Sequence, residues 1–126
     1  MGNRKKVLVV DDNQNFSQLL QCALEDDFEV FTAEDGRVGA KKAAEILPDI
    51  ILTDVMMPDI AGIELTRMLV AEEETRDIPV IVLTGSRLDK GTPELFKQER
   101  NVRHFLSKTT PVMEIVSIVK KVLYGG

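Results

Sequence analysis

The run VLVVDD at residues 7–12 decides the fold. Val7, Leu8, Val9 and Val10 are apolar without alternation, the pattern of a strand covered on both faces, and Asp11 and Asp12 end the run with two acids. Strands covered on both faces belong to parallel sheets held between layers of helix. Two more runs repeat the pattern: Ile50, Ile51 and Leu52 lead into Thr53 and Asp54, and Val80 to Leu83 lead into Thr84. These three are expected at the centre of the sheet. Segments 28–32 and 102–107 are more mixed, one interrupted by Glu29 and the other by Arg103 and His104, and both read as edge strands.

Helical periods fill the gaps, so the order is that of βαβ units in an α/β fold. Phe16, Leu19, Leu20, Ala23 and Leu24 make one apolar stripe. Ala40, Ala43, Ala44 and Leu47 make a second, and Leu65, Met68 and Leu69 a third. Val112, Ile115, Val116, Val119, Val122 and Leu123 make the last helix the most regular, with Thr110 as its N-cap and Pro111 at its first position. The fourth helix is expected to be short, over 93–100, after an irregular loop over 85–91.

The chain has 126 residues, 44% hydrophobic and 29% charged, with a formal net charge of −5. That suits one domain over 1–126 with its own core. A single cysteine, Cys22, excludes an internal disulfide and fits a reducing cytoplasm. No apolar run approaches the ~20 residues of a membrane-spanning helix, and residues 1–6 lack the core of a signal peptide. The acidic balance, without a Lys/Arg-rich block, argues against direct nucleic-acid binding.

In open parallel sheets, ligands bind beyond the carboxyl ends of the strands. Asp11, Asp12, Asp54, Thr84 and Lys108 all follow strands and are expected to meet at one edge. Any one of them could simply cap a helix, but their joint occurrence points to a site. Three carboxylates packed together repel, and a hard divalent ion relieves the repulsion. Mg²⁺ prefers such oxygen donors. Asp12 and Asp54 are expected as direct ligands and Asp11 as a direct or water-mediated one. The Met56 carbonyl is expected to add a backbone oxygen.

From VLVVDD through LTDVMMPDIAG and VIVLTG to FLSK, the chain resembles the receiver domains of two-component response regulators. The resemblance implies a flavodoxin-like fold, a five-stranded parallel sheet in the order 2-1-3-4-5 with helices on both faces. It implies that Asp54 is the phospho-acceptor, that Asp11 and Asp12 are the acidic pair for Mg²⁺, and that Thr84 and Lys108 contact the phosphoryl group. The Gly85 N–H is expected to donate to the same group, while Pro58 and Gly62 shape the turn into the third helix. Implied partners are a histidine kinase or histidine phosphotransfer protein and a downstream effector or output domain.

The family's switch couples the threonine to an aromatic three residues before the lysine, here Phe105. Met56 and Ser86, two residues past Asp54 and Thr84, lie where the family tunes hydrolysis. The resemblance also implies a signalling domain that assists its own phosphorylation and dephosphorylation without being a turnover enzyme. Two features depart from the pattern. Lys108 is followed by Thr109 rather than proline, leaving a trans bond or a strained cis one, and the fourth helix, usually part of the output face, is short. The fourth and fifth helices are the expected output face, and Met113 and Ile118 beside the last stripe offer a homodimer contact there.

Three rivals compete. An aspartate-nucleophile phosphatase would need a second acid two residues after Asp54, where Met56 stands. A flavin module would need a Ser/Thr- and Gly-rich loop where this chain has DDNQN. An unphosphorylated receiver-like interaction module is the remaining alternative.

Overall fold

A computed structural model describes residues 4–55, 57, 60–85 and 96–125. The elements are β1 (Lys6–Val10), α1 (Gln14–Leu24), β2 (Glu29–Ala33), α2 (Gly36–Ile46), β3 (Ile50–Asp54), α3 (Gly62–Ala71), β4 (Val80–Thr84), β5 (Val102–Ser107) and α4 (Val112–Tyr124). All strand pairs are parallel, in the order β2-β1-β3-β4-β5. The flavodoxin-like arrangement and the placing of β2 and β5 at the edges follow the sequence.

Alternate strand residues feed two cores. Val7, Val9, Ile50, Leu52, Ile81 and Leu83 face α1 and α4, where Leu20, Leu24, Ile115, Val116 and Val119 meet them. Leu8, Val10, Ile51, Val80 and Val82 face α2 and α3, against Ala43, Leu65 and Leu69. Each of the Val, Leu and Ile side chains among them, when fully buried, contributes roughly 1.5–3 kcal/mol. The three central strands therefore form a rigid platform from which β1, β3 and β4 end together.

Some helical stripes are narrower than the sequence suggests. Leu19 is 50% exposed and Met68 42%, so both lie outside the buried stripes. Ala44 is exposed as well. Leu47 is the C-cap of α2, in the left-handed conformation and 47% exposed. The buried face of α2 is instead Gly36, Gly39 and Ala43. A Cβ on Gly39 would lie 2.9 Å from the Val10 methyl groups, so close approach of α2 to β1 requires a residue without a side chain. A count of apolar residues cannot see a helix that packs through glycine.

The termini differ too. Asn13 caps α1 by accepting from the Phe16 N–H, and Asp35 caps α2 by accepting from the Val38 N–H. Pro111, not Thr110, occupies the N-cap of α4, and no side-chain hydrogen bond caps that helix. In β5 a register shift opposite Val80 and Ile81 puts an extra residue at Arg103, which leaves Arg103 and His104 exposed together.

Of the helix expected over 93–100, residues 93–95 lie outside the described residues, and the turns begin sooner than expected. Phe96 and Lys97 are helical, then Glu99 N–H donates to the Phe96 carbonyl and Val102 N–H to the Glu99 carbonyl. Most of the expected loop over 85–91 also lies outside the described residues, as do Met56, Pro58 and Ser86. Among the described residues every peptide bond is trans, including Lys108–Thr109. No helix among them is long and apolar enough to cross a membrane.

Candidate functional site

The site grows from three strand ends. The Asp11 N–H still pairs with the Ala33 carbonyl of β2 at 3.0 Å, so the first acid leaves the sheet as its last anchored residue. Its carboxylate is 3% exposed and committed at both oxygens. Oδ1 accepts from the Asn13 N–H at 2.9 Å, and Oδ2 meets the Lys108 ammonium at 2.7 Å. Asp12, the next residue, is exposed. Adjacent residues leave a strand in opposite directions, which separates a fixed acid from a solvent-facing one.

Asp54 ends β3 and is 8% exposed. Its Oδ1 accepts from the Val55 N–H at 2.8 Å, and its Oδ2 lies 3.4 Å from Lys108 Nζ. One carboxylate oxygen from each of Asp11, Asp12 and Asp54 lies within 4.8 Å of the others. The turn after β3 is set by Gly62, whose N–H donates to the Val55 carbonyl at 2.9 Å. A Cβ at Gly62 would collide with the Asp54 carbonyl oxygen and crowd Val55 Cα, so the start of α3 lies directly on the backbone that carries Asp54.

Lys108 arrives from the other side. Its backbone N–H donates to the Thr84 carbonyl at 2.8 Å, tying the end of β5 to the end of β4. Its ammonium stands between the two buried acids and 4.8 Å from the centre of the Phe16 ring. Gly85 borders the lysine stem, with room for a Cβ only 3.3 Å from Lys108 Cδ. Thr84 is buried at the same edge. Phe105, half-buried, packs on the α2/α3 side of the sheet with its ring centre 5.3 Å from that of Phe96.

The electrostatics follow from this crowding. Burial raises the pKa of Asp54, and the Asp11 charge raises it further, against the opposing pull of Lys108 and the Val55 N–H. For Lys108, burial alone would lower the pKa, but the hydrogen bond and charge of Asp11, joined by those of Asp54, more than offset it and hold the ammonium above its ordinary value. Among the described residues the site is thus a cluster of acids with one resident cation. Three close carboxylates, one of them open to solvent, suit a hard divalent cation such as Mg²⁺.

All five polar residues expected at the sheet edge lie at the carboxyl ends of the strands or directly beyond them, and Asp11, Asp12, Asp54 and Lys108 form one cluster. Met56 and Ser86 lie outside the described residues. Two participants were missed. The Asn13 N–H holds Asp11, and Phe16 faces the lysine although its spacing marked only a core stripe. Asn13 was legible as the polar residue before an apolar helical period, a cap position that also supplies a backbone donor.

Known proteins share this fold. The response regulator receiver domain model matches residues 7–120. Protein PilH of Pseudomonas aeruginosa is 31% identical over 121 residues, covering 95% of this chain and 98% of PilH. Histidine kinase P4 of Formosa agariphila is 28% identical over 119 residues, 88% of this chain, which spans only 9% of the kinase's length. The crystal structure of the receiver domain of sensor histidine kinase PA1611 from P. aeruginosa PAO1, with a magnesium ion coordinated in its active-site cleft, superposes with a TM-score of 0.84 at 27% identity, covering 98% of this chain and 99% of that one. The match runs from the first strand into the last helix, and the sheet order and clustered acids accompany it. The chain therefore belongs to the response regulator receiver domain family, the phosphorylation switches of two-component signalling.

Proposed function

We propose that Asp54 accepts a phosphoryl group from the phosphohistidine of a histidine kinase or histidine phosphotransfer protein, in a reaction that requires Mg²⁺. The carrying observation is the buried Asp54 carboxylate with Lys108 at 3.4 Å and Asp11 and Asp12 within the same acidic cluster. A carboxylate oxygen of Asp54 attacks phosphorus in line, the new O–P bond forms as the P–N bond breaks, and the electron pair leaves on the imidazole, which takes up a proton. Such a transition state needs its equatorial oxygens neutralised more than it needs acid or base help.

Asp12 and Asp54 would hold Mg²⁺ directly, with the Met56 carbonyl. Asp11, occupied at both oxygens, would act through water. When bound, the ion supplies positive charge to the phosphoryl oxygens. The Lys108 ammonium, the Thr84 hydroxyl and the Gly85 N–H complete the set of donors. The magnesium in the PA1611 receiver domain supports this assignment.

Phosphorylation draws Thr84 inward and lets Phe105 turn into the space beside it, changing the surface around 93–100 and α4 that a partner or output domain reads. Hydrolysis of the acyl phosphate, tuned from Met56 and Ser86, resets the switch without making the chain a turnover enzyme. The whole of 1–126 acts as one cytoplasmic receiver domain without direct nucleic-acid contact, and the face of the expected fourth helix and α4, where Met113 is exposed, offers a surface for a homodimer.

Incubation with Mg²⁺ and acetyl phosphate tests the reading by intact mass. One added phosphoryl group that disappears in Asp54→Asn and in EDTA is expected. Unchanged mass under saturating donor, with no binding of beryllofluoride, would overturn it in favour of an unphosphorylated interaction module. Steady turnover of an unrelated phosphate ester would favour the phosphatase instead.

A further inference from the structure

We infer that Phe16 is a positioning residue that holds the Lys108 ammonium at the phosphoryl site. The inference rests on the phospho-acceptor reading of Asp54 and adds to it a residue outside the five at the sheet edge. Lysine is a poor choice for a fixed donor, because four methylene groups give it many rotamers and its charge favours water. Lys108 is nevertheless enclosed, with its side chain only 15% exposed. Asp11 at 2.7 Å and Asp54 at 3.4 Å attract the ammonium from two sides. Gly85 borders the stem. A third side of the ammonium is closed by the ring of Phe16, 4.8 Å from ring centre to Nζ, within the range of a cation–π contact.

Phe16 is well placed to act as a wall. It lies in the first turn of α1, where its N–H is held by the Asn13 side chain at 3.2 Å. Its ring is half-buried and packs on the core between the sheet, α1 and α4. The ring is thus anchored by the core and not by the lysine. It attracts the cation through its negative face and excludes water from that side, yet offers no acceptor that would compete with an incoming phosphoryl oxygen. The two carboxylates alone would not suffice, because a phosphoryl group on Asp54 changes one of them. The ring, like Asp11, is a contact of the ammonium that a phosphoryl group on Asp54 does not chemically change, and unlike Asp11 it carries no charge to repel that group.

The effect belongs to the charge of Lys108 and the π-face of residue 16 together, and a double-mutant cycle isolates it. Phe16→Leu keeps an apolar side chain and removes the ring, while Phe16→Tyr keeps the ring. Lys108→Met keeps most of the stem and removes the charge. Beryllofluoride affinity, measured by calorimetry in Mg²⁺, is expected to fall about three- to tenfold in Phe16→Leu and to recover in Phe16→Tyr, in line with the usual strength of a partly desolvated cation–π contact. Mg²⁺ affinity without the anion should stay within twofold, because no carboxylate has changed. In a Lys108→Met background, Phe16→Leu should add nothing.

A second readout needs no phosphate. In EDTA at neutral pH, urea unfolding of wild type, Phe16→Leu, Lys108→Met and the double variant should show a stability coupling between positions 16 and 108. Zero coupling would overturn the inference whatever happens to the anion, as would an equal loss of beryllofluoride affinity on Phe16→Leu in the Lys108→Met background. A wild-type protein that shows the coupling but binds no beryllofluoride would instead overturn the phospho-acceptor reading while leaving the contact between the ring and the lysine established.

Discussion

Lys108 Nζ lies 2.7 Å from the Asp11 carboxylate, so the site carries its own counter-charge before any metal binds. The same ammonium that steadies the acids therefore competes electrostatically with a divalent ion, yet it would assist a phosphoryl group. Lys108→Met should separate the two roles. Mg²⁺ affinity, read by calorimetry, is expected to hold or to rise. Beryllofluoride affinity should fall by roughly tenfold or more, the equivalent of one charge-assisted hydrogen bond of about 1.5–3 kcal/mol. A parallel loss of both would mean that the lysine merely organises the acids.

The raised pKa of Asp54 has a consequence for stability. A carboxyl group whose folded pKa lies above its unfolded one favours the folded state when protonated. That contribution is fully present below the unfolded value of about 3.9 and is lost as pH rises through the folded value. Above that window the ionised Asp54 opposes folding, chiefly because it is buried and secondarily because Asp11 is near. In EDTA at neutral pH, Asp54→Asn is expected to melt higher by roughly 2–4 °C, with the gap closing as pH falls below the carboxylate range. Equal midpoints across that range would show that Lys108 fully compensates the burial.

Strand ends were legible because two-faced burial leaves a simple signature, a continuous aliphatic run that stops at a polar residue. Val7 to Asp11 and Ile50 to Asp54 marked both the platform and the acids upon it, and the placing of β2 and β5 at the edges followed from Glu29, Arg103 and His104, whereas the strand order came from the resemblance to receiver domains. Helix faces were less legible. Gly36 and Gly39 bury α2 through the absence of side chains, and Leu47 reverses the chain instead of packing. Phe16 was read as core because spacing reports which face of a helix is apolar, not which cation crosses from β5 to meet it.

Gly62 offers a direct test of how the backbone places the acceptor. In Gly62→Ala the new methyl would press on the Asp54 carbonyl oxygen and Val55 Cα, backbone atoms that cannot rotate away. Overpacking of this kind costs typically about 1–3 kcal/mol. Urea unfolding should show that loss, and at a temperature where the variant is folded, phosphorylation by acetyl phosphate should still be slowed at least severalfold because Asp54 has shifted. A fully active but destabilised variant would show that the α3 entry, rather than β3, yields to the strain.

The chain contains no tryptophan, so Phe105→Trp would carry the only indole. Phe105 is half-buried against Phe96, an environment that changes if the ring turns toward Thr84. Beryllofluoride with Mg²⁺ is expected to shift the emission of the Phe105→Trp protein. Adding Thr84→Ala should abolish the shift while binding, followed by calorimetry, persists with modest weakening. An undiminished shift without the Thr84 hydroxyl would uncouple the aromatic from the threonine.

Asp12 is the acid with least structural work to do, and this makes it the cleanest probe of the metal. It is exposed, whereas Asp11 holds the Asn13 N–H and Lys108, and Asp54 holds the Val55 N–H. Removing its carboxylate should therefore leave the apoprotein almost unchanged in EDTA, within the ~0.5 kcal/mol typical of surface positions. A ligand that binds only the folded state stabilises it by about 2.7 kcal/mol at a hundred times its dissociation constant. The wild type should accordingly gain several degrees in melting temperature as Mg²⁺ is raised to saturation, and Asp12→Ala should lose most of that gain at the same concentrations. Ca²⁺, larger and content with less regular oxygen ligation, should stabilise both proteins less selectively. Equal Mg²⁺-dependent gains in wild type and Asp12→Ala would move the ion away from the solvent-facing acid and onto Asp11 and Asp54 alone.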